Sequence, residues 1–226
     1  GLHVDNGLSV LRTGKSLWSE KSLLVSKKEM AEFSSLTSNS DLVVCEAFMF
    51  LYHNQFKVLE DLIESNRLGR VFSISCIFGI PHLESTNIRY FSELGGGALL
   101  DAGCYPIAAA HALLGHSPSR IWSSISSEEG YNVDTYGNAL LEYDSGESAF
   151  LEWGFGMNYT NEIRVRCERG TVLVNRAFSK PASFISEIEI RDSVGGVEII
   201  STGACNHFSS MFEQDLERSL LFEQER

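Results

Sequence analysis

From Val71 onward the sequence is a succession of short β-rich runs, and that succession restricts the fold more than any other feature. The runs are Val71 to Gly79, Arg120 to Ser127, Tyr136 to Tyr143, Ser148 to Phe155, Glu162 to Cys167, Thr171 to Asn175, Ile185 to Arg191 and Val197 to Ser201. Branched and aromatic residues bounded by Gly, Asn, Asp and Ser predict strands. Asp144-Ser145-Gly146 and Val194-Gly195-Gly196 lie between pairs of runs as hairpin turns. Ile188 and Ile190 alternate with Glu187, Glu189 and Arg191, as a strand with one buried face should. A large sheet with mostly antiparallel pairing follows. Two helical stretches accompany it, Ala98 to Leu114 and His207 to Phe222.

Before Gly69 the texture is different. Val4, Leu8 and Leu11 recur at helical spacing and the segment closes on Gly14, so residues 2–13 read as an amphipathic helix. Lys15 to Ser19 reads as a short strand, and Ser26 with Glu29 three residues later reads as a capping box opening a helix over 26–37. Leu42 to Cys45 is a compact apolar run suited to a buried strand. Phe56, Leu59 and Ile63 then share one face of a helix that ends at Asn66-Arg67-Leu68-Gly69.

A formal charge of −12 over 226 residues repels nucleic acid and anionic membranes across most of the surface, so neither is expected as a partner. Five cysteines, Cys45, Cys76, Cys104, Cys167 and Cys205, form no C-x-x-C pair. Their odd number and wide spread argue against disulfides and a structural zinc site. We expect reduced, mostly buried thiols, no metal site and a cytoplasmic address. No apolar run near 18 residues and no charged-then-apolar leader is read in the sequence.

The chemistry-bearing candidates lie where these elements begin and end. Gly95-Gly96-Gly97 runs into Ala98-Leu99-Leu100-Asp101-Ala102-Gly103-Cys104-Tyr105-Pro106. A helix starting near Ala98 would carry Asp101 and Tyr105 on one face near its N-terminus. Taken alone, that stretch favours a first-turn carboxylate and a core aromatic over proton chemistry. Glu20-Lys21-Ser22 follows a strand whose carboxyl end is where open parallel sheets bind ligands. Pairing of Lys21 with Glu20 is the simpler alternative. His53 begins a helix, either as a capping or packing histidine or as a cofactor contact.

Four signatures stand together: Glu20-Lys21-Ser22; Glu46-Ala47-Phe48-Met49 with Tyr52-His53; Leu68-Gly69-Arg70-Val71; and Gly95 through Asp101 to Tyr105-Pro106. In this order and spacing the chain resembles the Gfo/Idh/MocA family of nicotinamide-dependent oxidoreductases, from about residue 2 to about residue 220. The run Trp153 to Tyr159, continued by Arg176-Ala177-Phe178-Ser179, is similar to members that reduce keto groups on nucleotide-linked sugars. The resemblance implies an α/β chain. Residues 1–50 would be the remnant of a nucleotide-binding domain, the C-terminal portion of a Rossmann-type parallel sheet. Residues 51–226 would be an α+β substrate-binding and oligomerisation domain with a large, mostly antiparallel open sheet.

It also implies roles. Lys21 matches the lysine of a Glu-Lys-Pro motif that lies beside the nicotinamide and the reacting carbon; Ser22 stands where that motif has proline. Tyr105 matches the tyrosine of the sugar-reductase branch, and Leu51 stands where an arginine often precedes the Tyr-His pair. Reduction of a ketone builds negative charge on oxygen, which must be stabilised and protonated. Lys21 would stabilise it, Tyr105 would exchange the proton and Asp101 would orient either group. Glu20, Lys21 and His53 would meet the cofactor, NAD or NADP with NADP favoured, and Arg89 and Tyr159 would meet a sugar substrate. Surface pairing and core packing are the alternatives for those last two. A homo-oligomer through the sheet is expected by analogy.

The family's dinucleotide fold opens on a G-x-G-x-x-G turn, and no such spacing occurs here, Gly95-Gly96-Gly97 included. Residue 1 is therefore expected to start after the phosphate loop, and a last helix of the family is expected beyond Arg226. Two readings follow: a sugar or nucleotide-sugar oxidoreductase, or a truncated or non-catalytic relative serving assembly or ligand binding.

Overall fold

The computed structural model describes residues 2–224, and the side chains of residues 2–215. Arg226, and whatever was expected beyond it, lies outside the described residues. The chain gathers into two compact units, one formed by residues before Phe50 and after His207, the other by Phe50–His207.

In the first unit, helix α1 (His3–Arg12) leads into strand β1 (Leu17–Ser19), helix α2 (Lys27–Thr37) and strand β2 (Val44–Glu46). The two strands pair in parallel, Leu17 opposite Val44 and Ser19 opposite Glu46. Leu8, Leu11, Leu23 and Phe33 form the core, with Leu17, Leu36 and Val44 packed against it. The capping box is present: the Ser26 hydroxyl accepts from Glu29 N, and the Glu29 carboxylate accepts from Ser26 N. Two of the four N–H groups that a helix start leaves unpaired are satisfied this way.

The second unit is an eight-stranded sheet with helices on one face. Helix α3 (Asn54–Glu64) precedes strand β3 (Val71–Ile80); helix α4 (Cys104–Leu114) follows, then β4 (Arg120–Ser126), β5 (Tyr136–Glu142), β6 (Ser148–Phe155), β7 (Thr160–Cys167), β8 (Gly170–Asn175), β9 (Ser186–Asp192) and β10 (Val197–Gly203). The strand order is β10-β9-β8-β7-β3-β6-β5-β4. Every pair is antiparallel except β3 with β6, where Ile74 stands opposite Ala149 and Phe78 opposite Trp153 in parallel register. The exception follows from the connection. Leaving β3, the chain runs along the sheet through α4 and returns through two antiparallel turns, β4 to β5 to β6, so β6 arrives parallel to β3. Helix α5 (His207–Gln224) ends the described chain and from Phe208 onward belongs to the first unit.

Alternate residues of the central strands point to the helices and make the core: Ile74, Cys76 and Phe78, then Leu151 and Trp153, Ile163 and Val165, Val172 and Val174, and Ile188 and Ile190. At about 1.5–3 kcal/mol for each fully buried large apolar side chain, this face is the main source of the unit's stability. Ser92–Leu114 is long and apolar enough by composition to cross a membrane, which the reading of the sequence did not register; half of it is buried inside the fold. The five cysteines are free thiols, but only Cys76 is buried, the other four being half-buried. The expectation that most are buried was too strong, because only Cys76 stands on the inward face of a central strand.

Candidate active site

In the first unit, Lys21 follows β1 directly. Glu46, the last residue of β2, accepts a hydrogen bond from Leu23 N at 2.7 Å, and Ala47 N donates to Ser19 O at 2.9 Å. These bonds hold Glu20-Lys21-Ser22 at the carboxyl end of the parallel pair, where open α/β sheets receive ligands. Glu20 is exposed and Lys21 half-buried. The Lys21–Ser22 peptide is cis.

In the second unit, the glycine-rich stretch turns the chain into α4. Gly97 has φ +118°, and a Cβ there would overlap Asp134 Oδ1, so only glycine fits. Asp134 takes up the helix start: its backbone carbonyl accepts from Ala98 N at 2.8 Å and its carboxylate from Leu99 N at 2.6 Å. A distant carboxylate caps this helix, which no local spacing announced.

The helix expected from Ala98 is not uniform. Leu99–Gly103 forms a π-helical turn, and regular α-helix begins at Cys104. A Cβ on Gly103 would come within 2.8 Å of the Trp153 ring, so the wide turn lies where the indole closes against the helix backbone. Asp101 sits in the π turn and Tyr105 in the α-helix beyond it.

Arg89 Nε donates to Asp101 Oδ2 at 2.6 Å, a charge-assisted bond with the carboxylate mostly buried and the guanidinium partly exposed. Tyr105 is 7% exposed, and its ring lies 5.3 Å from that of Phe78 and 5.8 Å from those of Phe50 and Phe178. The structure thus brings Arg89 to Asp101 and holds Tyr105 in an aromatic nest. Lys21 and Glu20 belong to the first unit; Arg89, Asp101, Tyr105, His53 and Tyr159 belong to the second.

His53 is fully buried and caps α3, its Nδ1 accepting from Gln55 N at 3.0 Å, which leaves the neutral ring's proton on Nε2. The capping role weighed for it in the sequence is the one observed. Gln55 in turn donates to Asn175 O at 3.1 Å and Glu187 O at 2.9 Å, and accepts from Lys180 Nζ at 2.9 Å. Burial pushes the Lys180 ammonium down from 10.5 to about 7, against the opposing pull of Cys205. Burial, then the Lys180 charge, lowers both His53 and His207 to about 4. Reading the sequence passed over Lys180, because a single lysine after Phe178-Ser179 carries no local mark of burial.

Tyr159 is exposed at 40%, its hydroxyl accepting from Asn161 Nδ2 at 3.1 Å, and the Arg176 guanidinium lies 5.0 Å from its ring centroid. Among the described residues no group of three or more His, Cys, Asp or Glu could hold a metal ion. No glycine cradle for a pyrophosphate occurs in the 226 residues.

Comparison with known proteins agrees with this architecture. The chain is 37% identical over 191 residues to dTDP-3,4-didehydro-2,6-dideoxy-alpha-D-glucose 3-reductase of Saccharopolyspora spinosa, covering 84% of this chain and 57% of that enzyme. It is 33% identical over 189 residues to the enzyme of that name from Actinomadura kijaniata, covering 84% and 57%. The chain therefore spans a little over half the length of these relatives. Among solved structures, a 3-ketoreductase from Actinomadura kijaniata in complex with NADP and TDP-benzene aligns with TM-score 0.87 and 30% identity, over 98% of this chain and 68% of that one. Structures of the same ketoreductase include a tyrosine-to-phenylalanine variant, with TM-score 0.89, and lysine-to-alanine and lysine-to-glutamate variants. Residues 56–173 match the GFO/IDH/MocA C-terminal domain, and the chain belongs to the Gfo/Idh/MocA family.

Proposed function

We propose that this chain serves the reduction of a keto group on a nucleotide-linked sugar, with NADP(H) as hydride carrier and with Lys21 and Tyr105 at the reacting oxygen. One observation carries the reading: the lysine and tyrosine altered in the ketoreductase variants lie as far apart along that chain as Lys21 and Tyr105 lie here. An alignment that covers 98% of this chain supports pairing those positions with Lys21 and Tyr105.

The cofactor, when bound, supplies the hydride. The rest falls to the chain's own side chains. The Lys21 ammonium stabilises the oxygen as negative charge develops on it, and the Tyr105 hydroxyl donates the proton that completes the alcohol. The phenylalanines around Tyr105 fix its ring and exclude water from that side. Asp101 holds the Arg89 fork by its Nε, Asn87 Oδ1 accepts from Nη1 at 3.4 Å, and Nη2 is left for the sugar. Tyr159 offers an exposed ring to the same substrate.

Two further parts of the reading concern the whole protein. Trp122, Leu140 and Phe150 stand in register on adjacent strands, with Trp122 and Phe150 about half exposed. Such a row of apolar side chains supports self-association through the open face of the sheet. Free thiols at all five cysteines support a cytoplasmic address.

The test is NADPH consumption with a dTDP-linked 3-keto sugar, beside a nicotinamide-fluorescence titration with NADPH and NADH. Turnover that falls about 10²–10⁴-fold in Tyr105→Phe and in Lys21→Ala is the expected result. A folded chain that binds neither cofactor and turns over no ketone refutes the proposal and leaves the non-catalytic reading.

A further inference from the structure

We infer that Arg176 grips the diphosphate of the nucleotide-linked substrate, an inference that rests on the nucleotide-sugar reading above. Arg176 has φ +52°, in the left-handed region that a residue with a Cβ rarely occupies. Such a conformation persists only where the surroundings over-determine it, and it gathers at sites where a side chain must be aimed. The surroundings here are explicit. On one side of Arg176, Gln55 Nε2 donates to Asn175 O at 3.1 Å. On the other, Phe178 N donates to Asn161 Oδ1 at 2.7 Å, Asn161 Nδ2 donates to Ser179 O at 3.1 Å, and Lys180 Nζ donates to Ala177 O at 3.1 Å. Each neighbour in the segment is tied down, and Arg176 alone absorbs the unfavourable torsion.

What this arrangement secures is the guanidinium. Its carbon lies 5.0 Å from the Tyr159 ring centroid and 5.7 Å from that of Phe184, and among the described residues it has no hydrogen bond or ion pair. Aromatic contact engages the faces of the planar group and leaves its five N–H donors at the edge. An exposed, pre-aimed fork with open donors matches the oxygens of a phosphate. In a chain of net charge −12 such a fork is the local site that an anionic ligand requires.

The position suits the reaction. Phe178, two residues on, lies 5.8 Å ring to ring from Tyr105. The segment that carries Arg176 thus packs, through Phe178, against the tyrosine placed at the reacting oxygen. A diphosphate also occurs in NADP(H), so the two sources must be separated by experiment.

The experiment is calorimetric titration of the chain, and of Arg176→Ala, Arg176→Gly and Arg176→Lys, with dTDP, thymidine and NADPH. We expect Arg176→Ala and Arg176→Gly to weaken dTDP about ten- to a hundredfold and to leave thymidine and NADPH unchanged. Arg176→Lys should recover only part of the affinity, because a point charge replaces the fork. Arg176→Gly should melt at or above the wild-type temperature, since glycine adopts this φ without strain, so lost binding cannot be ascribed to unfolding. Unchanged dTDP affinity in both truncations, with dTDP bound by wild type, overturns this inference alone. Weakened NADPH with unchanged dTDP assigns the fork to the cofactor and overturns it too. A wild-type chain indifferent to dTDP overturns the inference together with the nucleotide-sugar reading.

Discussion

Lys180 allows the packing of the second unit to be tested through pH. Its Nζ donates to Gln55 Oε1 at 2.9 Å and to Ala177 O at 3.1 Å, two bonds that a neutral amine can still make, and the residue is 7% exposed. Burial lowers its pKa from 10.5 to about 7. Between those values the unfolded chain holds the proton and the native chain does not, so native stability rises with pH across that window. The slope for one group is about 1.4 kcal/mol per pH unit, and the full shift corresponds to about 4–5 kcal/mol. Lys180→Met keeps the volume and removes the titration. Above pH 10 the variant should be the less stable by about 1–3 kcal/mol, because Gln55 Oε1 and the Ala177 carbonyl lose their donor. That deficit should shrink and reverse as pH falls towards 7. Urea denaturation of both proteins at pH 7.5 and 9.0 should show the wild-type advantage growing by about 2 kcal/mol over the interval. A difference that stays flat, or that shrinks as pH rises, refutes the assignment of a buried, proton-poor amine.

Other expectations follow from particular contacts. His53 and His207 are lowered from 6.5 to about 4, so their contribution is fully present above pH 6.5 and is lost as pH falls towards 4. His207→Gln should therefore reduce the acid-side slope by about 1.4 kcal/mol per unit in urea titrations, and an unchanged slope counts against buried neutral imidazoles. Arg89→Ala and Asp101→Asn should each cut turnover about tenfold, with the double variant no worse than the single ones; additive losses would mean that the two act separately. Gly103→Ala drives a methyl into the Trp153 ring and should cost about 1–3 kcal/mol by thermal melting. Ser26→Ala should cost about 1 kcal/mol through the lost capping box, with no effect on cofactor titration.

Much of the fold was legible before any coordinates, for local reasons. Period-two alternation put Ile188 and Ile190 on the inward face of a strand, and both are buried there. The Ser26 and Glu29 pair signalled the start of α2, because capping is a three-residue event. Alternation and turn signals could not reveal the parallel pair β3 and β6, since partner choice in a sheet depends on a connection of many residues. The resemblance likewise picked out Lys21, Asp101 and Tyr105 without saying what surrounds them.

The amino-acid order alone determined which residues are apolar, where helices and turns begin, and which side chains carry ammonium, phenol and carboxylate. Only the tertiary structure decided that Asp101 bonds Arg89, that the helix opens on a π turn, and that Asp134 caps it from 35 residues away. It also decided that Lys180 sits buried beside Gln55, and that Arg176 is held strained with its donors open. Most of those outcomes depend on long-range contacts. Their energy comes from desolvation and from hydrogen bonds between segments far apart in the chain, and neither leaves a trace in local spacing.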